Sequence, residues 1–177
     1  MSVMRLLQPV PGDPVPIAEV GDEVFAQEML GPSVAVQPPA DLDEATVVAP
    51  ADGVLTVMYR TGHAFVLTTD EGPQILVHVG IDTVHSDAGF TALAAQNQRV
   101  RRGDPLLRVD LSALRQAERP AITVVAVMGD PEARIELFEP ELSEPEPSGP
   151  EPSEPGPSEP GPSEAGRLKA GPSEARA

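Results

Sequence analysis

The chain has no cysteine, which excludes disulfides, a thiolate nucleophile and any cysteine-ligated zinc from its 177 residues. Basic residues are scarce. Twelve Lys and Arg stand against 28 Asp and Glu, the formal net charge is −16, and the sole lysine is Lys169. Such a surface repels a nucleic-acid backbone, and a protein partner recruited by charge would be basic. No apolar run approaches the ~20 residues that a membrane-spanning helix needs. In "MSVMRLLQPVPGDPVP" proline interrupts the short apolar piece before a signal-peptide core forms. These absences predict a soluble, cytoplasmic protein that does not insert into a membrane. Histidine is nearly absent too, limited to His63, His78 and His85.

Proline is abundant, with 22 residues, ten of them after Phe138. From Glu139 the composition changes to "EPELSEPEPSGPEPSEPGPSEPGPSEAGRLKAGPSEARA", and the unit PGPSE repeats back to back over residues 155–164. Proline, glycine, serine and glutamate offer little apolar area to offset the entropy of ordering a chain. The composition predicts a folded domain over 1–138 and a disordered acidic tail over 139–177. The first 138 residues hold 9 basic and 19 acidic residues and the rest hold 3 and 9, so both parts are acidic.

Within 1–138, proline and glycine punctuate short β-rich runs. "ATVVAPADGVLTVMY", "HAFVLTTDEGPQILVHVGI" and "QRVRRGDPLLRVDL" each hold two, and "AITVVAV" adds one. Short strands with regular turn signals argue for a mainly β fold, a sandwich or barrel. Helix candidates are short: Gly89 to Ala95 and Leu111 to Ala117.

The run "GPQILVHVGIDTV", residues 72–84, places one imidazole among apolar residues. Side chains on a strand alternate between faces. Ile75, Val77, Val79 and Ile81 are thereby expected on the core face, and Leu76, His78, Gly80 and Asp82 on the other. Gly80 is expected to leave an open patch beside His78. His63 opens the preceding run, "HAFVLTT". If the two runs form an antiparallel pair around a turn near Glu71 and Gly72, His63 and His78 fall near one level and can converge. His85 lies beyond this arrangement.

Three chemistries use such a pair. Zinc binding needs further ligands, for which Asp82 or His85 could serve, but no His-x-His spacing is present. General acid–base catalysis wants a substrate pocket that the sequence does not display. Phosphoryl relay suits an imidazole, nucleophilic near pH 7, with a second imidazole donating to the phosphoryl oxygens. Two unrelated structural histidines fit the positions as well.

A family resemblance bears on this choice. "GPQILVHVGIDTV" resembles the phosphorylation-site segment of the glucose-type enzyme IIA component of the bacterial phosphoenolpyruvate-dependent sugar phosphotransferase system. "GDEVFAQEMLGPSVAVQP" resembles that family's early strands. "VVAPADGVLTVMYRTGHAFVL" resembles the segment with its supporting histidine, and "GFTALAAQNQRVRRGDPLLRVDL" the segment after the site. The resemblance spans about Pro14 to Phe138 and implies a compact antiparallel β-sandwich or barrel-like domain with short helices.

The resemblance also implies roles. His78 would accept a phosphoryl group from the basic phosphocarrier protein HPr and pass it to a cysteine of an enzyme IIB domain. His63 would hydrogen-bond the phosphoryl oxygens, and Thr61 would orient His63. Asp22 and Asp82 would form an acidic rim facing HPr. Val24, Phe25, Tyr59, Leu76 and Val84 would form an apolar docking patch around the site. Gly62, where some members carry a larger polar residue, predicts a slightly looser loop. With no cysteine for a IIB domain and no apolar spans for a permease, the chain is expected to meet IIB in trans. No cofactor is expected.

Other readings remain. A regulatory protein whose phosphorylation state is sensed by target proteins would look the same. "APADGVLTVM" and "RRGDPLLRVD" also resemble biotinyl and lipoyl carrier domains, which need a hairpin lysine, and Lys169 is in the tail. A LytM-type zinc hydrolase would need a His-x-His pair where this chain reads His78-Val79-Gly80.

Overall fold

The computed structural model describes residues 2–83 and 89–139. Twelve strands are found among them: β1 (Val3–Leu7), β2 (Asp13–Val15), β3 (Ser33–Gln37), β4 (Glu44–Val48), β5 (Gly53–Met58), β6 (Ala64–Thr69), β7 (Gln74–Val79), β8 (Phe90–Ala92), β9 (Arg99–Val100), β10 (Pro105–Asp110), β11 (Thr123–Met128) and β12 (Arg134–Phe138). Two short helices, α1 (Glu23–Ala26) and α2 (Leu111–Gln116), and a 3-10 turn at Ile17–Glu19 complete the described elements.

A seven-stranded antiparallel sheet runs β2-β3-β11-β7-β6-β5-β9, and a three-stranded antiparallel sheet runs β4-β10-β8. The fold is thus mainly β and antiparallel, as expected. One pair departs: β1 and β12 are parallel, from Val3↔Arg134 to Leu7↔Phe138, and join the two ends of the domain. At the end of β12 the Arg5 and Arg102 guanidinium groups lie 5.9 and 5.3 Å from the Phe138 ring centroid.

The seven-stranded sheet has two differently built faces. On the inner face, Leu55, Phe65, Leu67, Ile75, Val77, Val79, Val125 and Val127 join Val47, Leu106, Leu107 and Val109 of the smaller sheet in the main core. On the outer face, Ala35, Ala64, Val66, Leu76, Val124 and Ala126 form a second cluster, closed by Val20, Phe25, Ile81 and Ile122. The alanines leave room for the segment around α1 to approach the sheet. Burying Phe25 there contributes about 2 to 3 kcal/mol.

Three local expectations are corrected. The segment 89–95 contains strand β8 rather than a helix. Its residues pair with β10 from Phe90↔Val109 to Ala92↔Leu107, and this pairing outweighs the local preference of its alanines. The early segment resembling strands holds α1 instead, and only Ser33–Gln37 of it is a strand. Here Asp22 Oδ1 accepts from the backbone N–H groups of Val24 (2.8 Å) and Phe25 (3.2 Å), the geometry of an N-cap. Ile81 does not share the inner face with Val79. β7 ends at Val79, Gly80 has φ +78°, and the turn sends Ile81 to the outer cluster. By contrast α2 forms where expected. Asp110 caps it by accepting from Ala113 N–H, and Leu111 and Leu114 bury its inner side. The tail expected after Phe138 lies, from residue 140 onward, outside the described residues.

Candidate functional site

β6 and β7 pair symmetrically about Glu71, with Ala64 opposite His78. His63 immediately precedes β6, and its carbonyl accepts from Val79 N–H at 2.8 Å. Strict alternation would aim a residue opposite Val79 at the inner core. Gly62, at φ +74°, turns the backbone just before it, and the His63 ring lies beside His78 instead. The two ring centroids are 4.9 Å apart at an interplanar angle of 73°. The convergence expected from the turn is therefore present.

The loop before His63 is tighter than the expected slack one. Gly62 N–H donates to the Tyr59 carbonyl at 2.8 Å, and a Cβ on Gly62 would stand 3.1 Å from Phe90 Cβ. The expected open patch at Gly80 is also absent. A Cβ there would stand 2.5 Å from Thr83 Cγ2 and 3.1 Å from the Pro120 carbonyl oxygen. Gly80 serves the site through its own carbonyl instead. His78 Nδ1–H donates to Gly80 O at 2.9 Å. A carbonyl can only accept, so Nδ1 holds the proton and the neutral ring keeps its lone pair on Nε2. Thr83, fully buried, donates from Oγ1 to the Val79 carbonyl at 2.7 Å and braces the turn that carries Gly80.

His63 is 2 % exposed and its Nδ1 is hydrogen-bonded to Thr61 Oγ1. Burial, with His78 nearby, pushes its pKa down to about 4, so the ring is neutral at pH 7. Burial lowers the pKa of His78 as well, against smaller opposing effects of the Gly80 carbonyl and the Asp22 carboxylate. Both imidazoles are thereby held uncharged near neutrality. Phe25 packs on His78 with centroids 5.1 Å apart, and Tyr59 on His63 at 5.3 Å, so each ring has an aromatic wall.

The other residues singled out in the sequence divide into groups. Asp22, Val24, Phe25 and Asp82 line one cavity of 380 Å³ with His78, Thr83 and Arg119. Val24 and Tyr59 are each 42 % exposed and available to a partner. Phe25 is buried and lines the cavity. Leu76 is corrected: at 6 % exposure it belongs to the second cluster and supports the site from beneath rather than offering docking surface. Val84 and His85 lie outside the described residues. Sequence reasoning missed Phe90, Thr83 and Arg119. Phe90 reaches within 6.5 Å of His63, centroid to centroid. Thr83 reaches the site through the turn after β7, Phe90 through the strand β8, and Arg119, which no motif marks, through the segment before β11. Among the described residues no cluster of three or more His, Asp or Glu could hold a metal ion.

An imidazole with its lone pair on Nε2 and a second neutral imidazole at ring-contact distance thus lie on one face of a sandwich of antiparallel sheets. The comparisons give the family. Residues 4–132 match the family described as phosphoenolpyruvate-dependent sugar phosphotransferase system, EIIA 1, and the chain belongs to it. It is 42% identical over 127 residues to the mannose-specific EIIBCA component of Corynebacterium glutamicum, covering 71% of this chain and 18% of that protein. It is 32% identical over 132 residues to the glucose-specific EIIA component of Oceanobacillus iheyensis, covering 74% of this chain and 78% of that one. The chain thus spans about a fifth of the multidomain relatives and most of the shorter one. Among solved structures it resembles glucose permease IIA from Mycoplasma capricolum, with a TM-score of 0.63 and 35% identity over 69% of this chain and 77% of that one. The resemblance to a glucose-type IIA component is thereby established. No helix among the described residues is long and apolar enough to cross a membrane.

Proposed function

We propose that this protein carries a phosphoryl group on His78 Nε2, received from phospho-HPr and delivered to the cysteine of a IIB domain during sugar uptake. The observation that carries this reading is the His78 Nδ1–H bond to Gly80, which leaves the lone pair on Nε2, on a ring beside a second neutral imidazole. In the charging step the Nε2 lone pair attacks phosphorus. The bond from phosphorus to the donor breaks, and its electron pair stays on the donor. In the onward step the IIB thiolate attacks phosphorus and the P–N bond breaks, returning the pair to Nε2. Phosphoryl transfer of this kind is mainly positioning and electrostatic stabilisation.

His63 supplies part of that stabilisation. With the Thr61 hydroxyl donating to its Nδ1, His63 carries its proton on Nε2 and donates to a phosphoryl oxygen. Val24 and Tyr59 offer apolar surface for docking, and Asp82 offers charge complementary to a basic HPr at the cavity rim. The reaction so described belongs to the cytoplasm. Incubation with phosphoenolpyruvate, enzyme I and HPr tests the reading. The wild-type chain gains one acid-labile phosphoryl group by intact mass, and His78→Ala gains none. A phosphoryl group that still adds to the Ala variant removes His78 as acceptor.

A further inference from the structure

We propose that Arg119 binds the phosphoryl group on His78 and stabilises the charged form of the protein, an inference that rests on the phosphocarrier reading above. Arg119 lines the 380 Å³ cavity with His78, Asp22 and Asp82, and it is the one cation among the described residues lining it. It is half-buried, and among the described residues no hydrogen bond or ion pair engages its guanidinium.

Its place is built rather than incidental. Beyond the end of helix α2, Glu118 turns the chain at φ +55°, where Arg119 N–H donates to the Leu114 carbonyl at 2.9 Å and Glu118 N–H to that of Arg115 at 3.0 Å. This is a double-bonded helix C-terminus that fixes the direction of the exiting chain. The following residues are tied to the site turn. Ile81 N–H donates to the Pro120 carbonyl at 3.0 Å, and Gly80 N–H to that of Ile122 at 2.9 Å. The backbone segment that carries Arg119 is therefore bonded to the segment whose Gly80 carbonyl orients His78.

Charge supplies the second part of the argument. Phosphorylation brings about two negative charges near pH 7. They would arrive in a cavity already lined by the Asp22 and Asp82 carboxylates. Without a cation, repulsion would disfavour the charged protein. A guanidinium answers this with charge and with a planar fork matched to two phosphoryl oxygens. Lysine would supply the charge without the fork.

The test is the equilibrium distribution of phosphoryl groups between HPr and the full-length chain, read by intact mass after charging with phosphoenolpyruvate and enzyme I. Arg119→Gln shifts the equilibrium about tenfold toward phospho-HPr, the scale of one lost charge-assisted bond, and Arg119→Lys recovers part of it. The spontaneous loss of phosphate from isolated phosphoprotein speeds in the Gln variant. Melting temperatures near wild-type show that both variants fold. A wild-type chain that charges beside a Gln variant with an unchanged equilibrium overturns this inference alone. So does a change only in the KM for phospho-HPr, which would make Arg119 a docking residue. Failure of the wild-type chain itself to take phosphate overturns the phosphocarrier reading and this inference with it.

Discussion

The two faces of the seven-stranded sheet are made from the same strands and do different work. The inner face buries Phe65, Leu67, Ile75 and Val77 completely against the smaller sheet. The outer face, read along the same β6 and β7, carries Ala64, Val66, Leu76 and His78 beneath the segment around α1. The inner residues are large and apolar, so that face resists unfolding. The outer face has Ala64 and His78 among the apolar Val66 and Leu76, so that face leaves space for an imidazole pair and a cavity. The alternation of a β-strand lets one backbone serve stability on one side and chemistry on the other.

The sharpest way to break this comparison is to empty the inner face. Phe65→Ala removes a fully buried ring from the main core and is expected to cost about 3 to 5 kcal/mol, measured by urea unfolding. His78→Ala, on the outer face, is expected to leave the unfolding midpoint close to wild-type. If the two substitutions cost the same, the division of labour between the faces fails.

A smaller effect separates the faces by pH. In the folded chain His63 protonates only near pH 4, whereas in the unfolded chain its pKa is about 6.5. Between these values the unfolded state binds more protons, so stability rises with pH across the window. It is complete above about pH 6.5 and is lost progressively as the pH falls toward about 4. His63 contributes at most about 3 kcal/mol to this slope. His78, whose pKa is also lowered, adds to it in the same direction. Thermal unfolding of wild type and His63→Gln between pH 4 and 7 isolates the contribution, because the carboxylates titrate alike in both. Parallel slopes in the two proteins would mean that His63 is not held neutral by burial.

The smallest effect is expected at the C-terminus. Removing residues 139–177 is expected to leave the melting temperature nearly unchanged, because these residues bring little apolar area to bury. Their acidic charge is expected to speed charging by basic HPr at low salt only, since the screening length near physiological salt is about 8 Å. A large fall in melting temperature on truncation would assign them a packing role.

Much of this arrangement was legible in the residue order, for reasons that differ from element to element. The alternation through Ile75, Val77 and Val79 names the inner face of β7 correctly, and symmetry about Glu71 brings His63 to His78. Alternation fails at Ile81, because it assumes an extended backbone and Gly80 lies at φ +78°. The same conformation explains why Gly80 looked like open space: what fills it, Thr83 and the Pro120 carbonyl, arrives from a turn and from a distant segment. Helix α1 has only four residues, too few to show a helical period, and is held by its Asp22 cap and by Phe25 burial. Strand β8 is a strand by virtue of its pairing with β10, which local sequence does not display. Arg119 carries no motif. Its place at the cavity follows from β11 lying next to β7, a long-range fact.

The most direct test of the central claim is nitrogen NMR on the phosphorylated protein labelled with 15N-histidine. The account predicts a phosphorus-coupled nitrogen at His78 Nε2, with Nδ1 still protonated and bonded to the Gly80 carbonyl. Phosphorus coupling at His78 Nδ1, or at either nitrogen of His63, would contradict it.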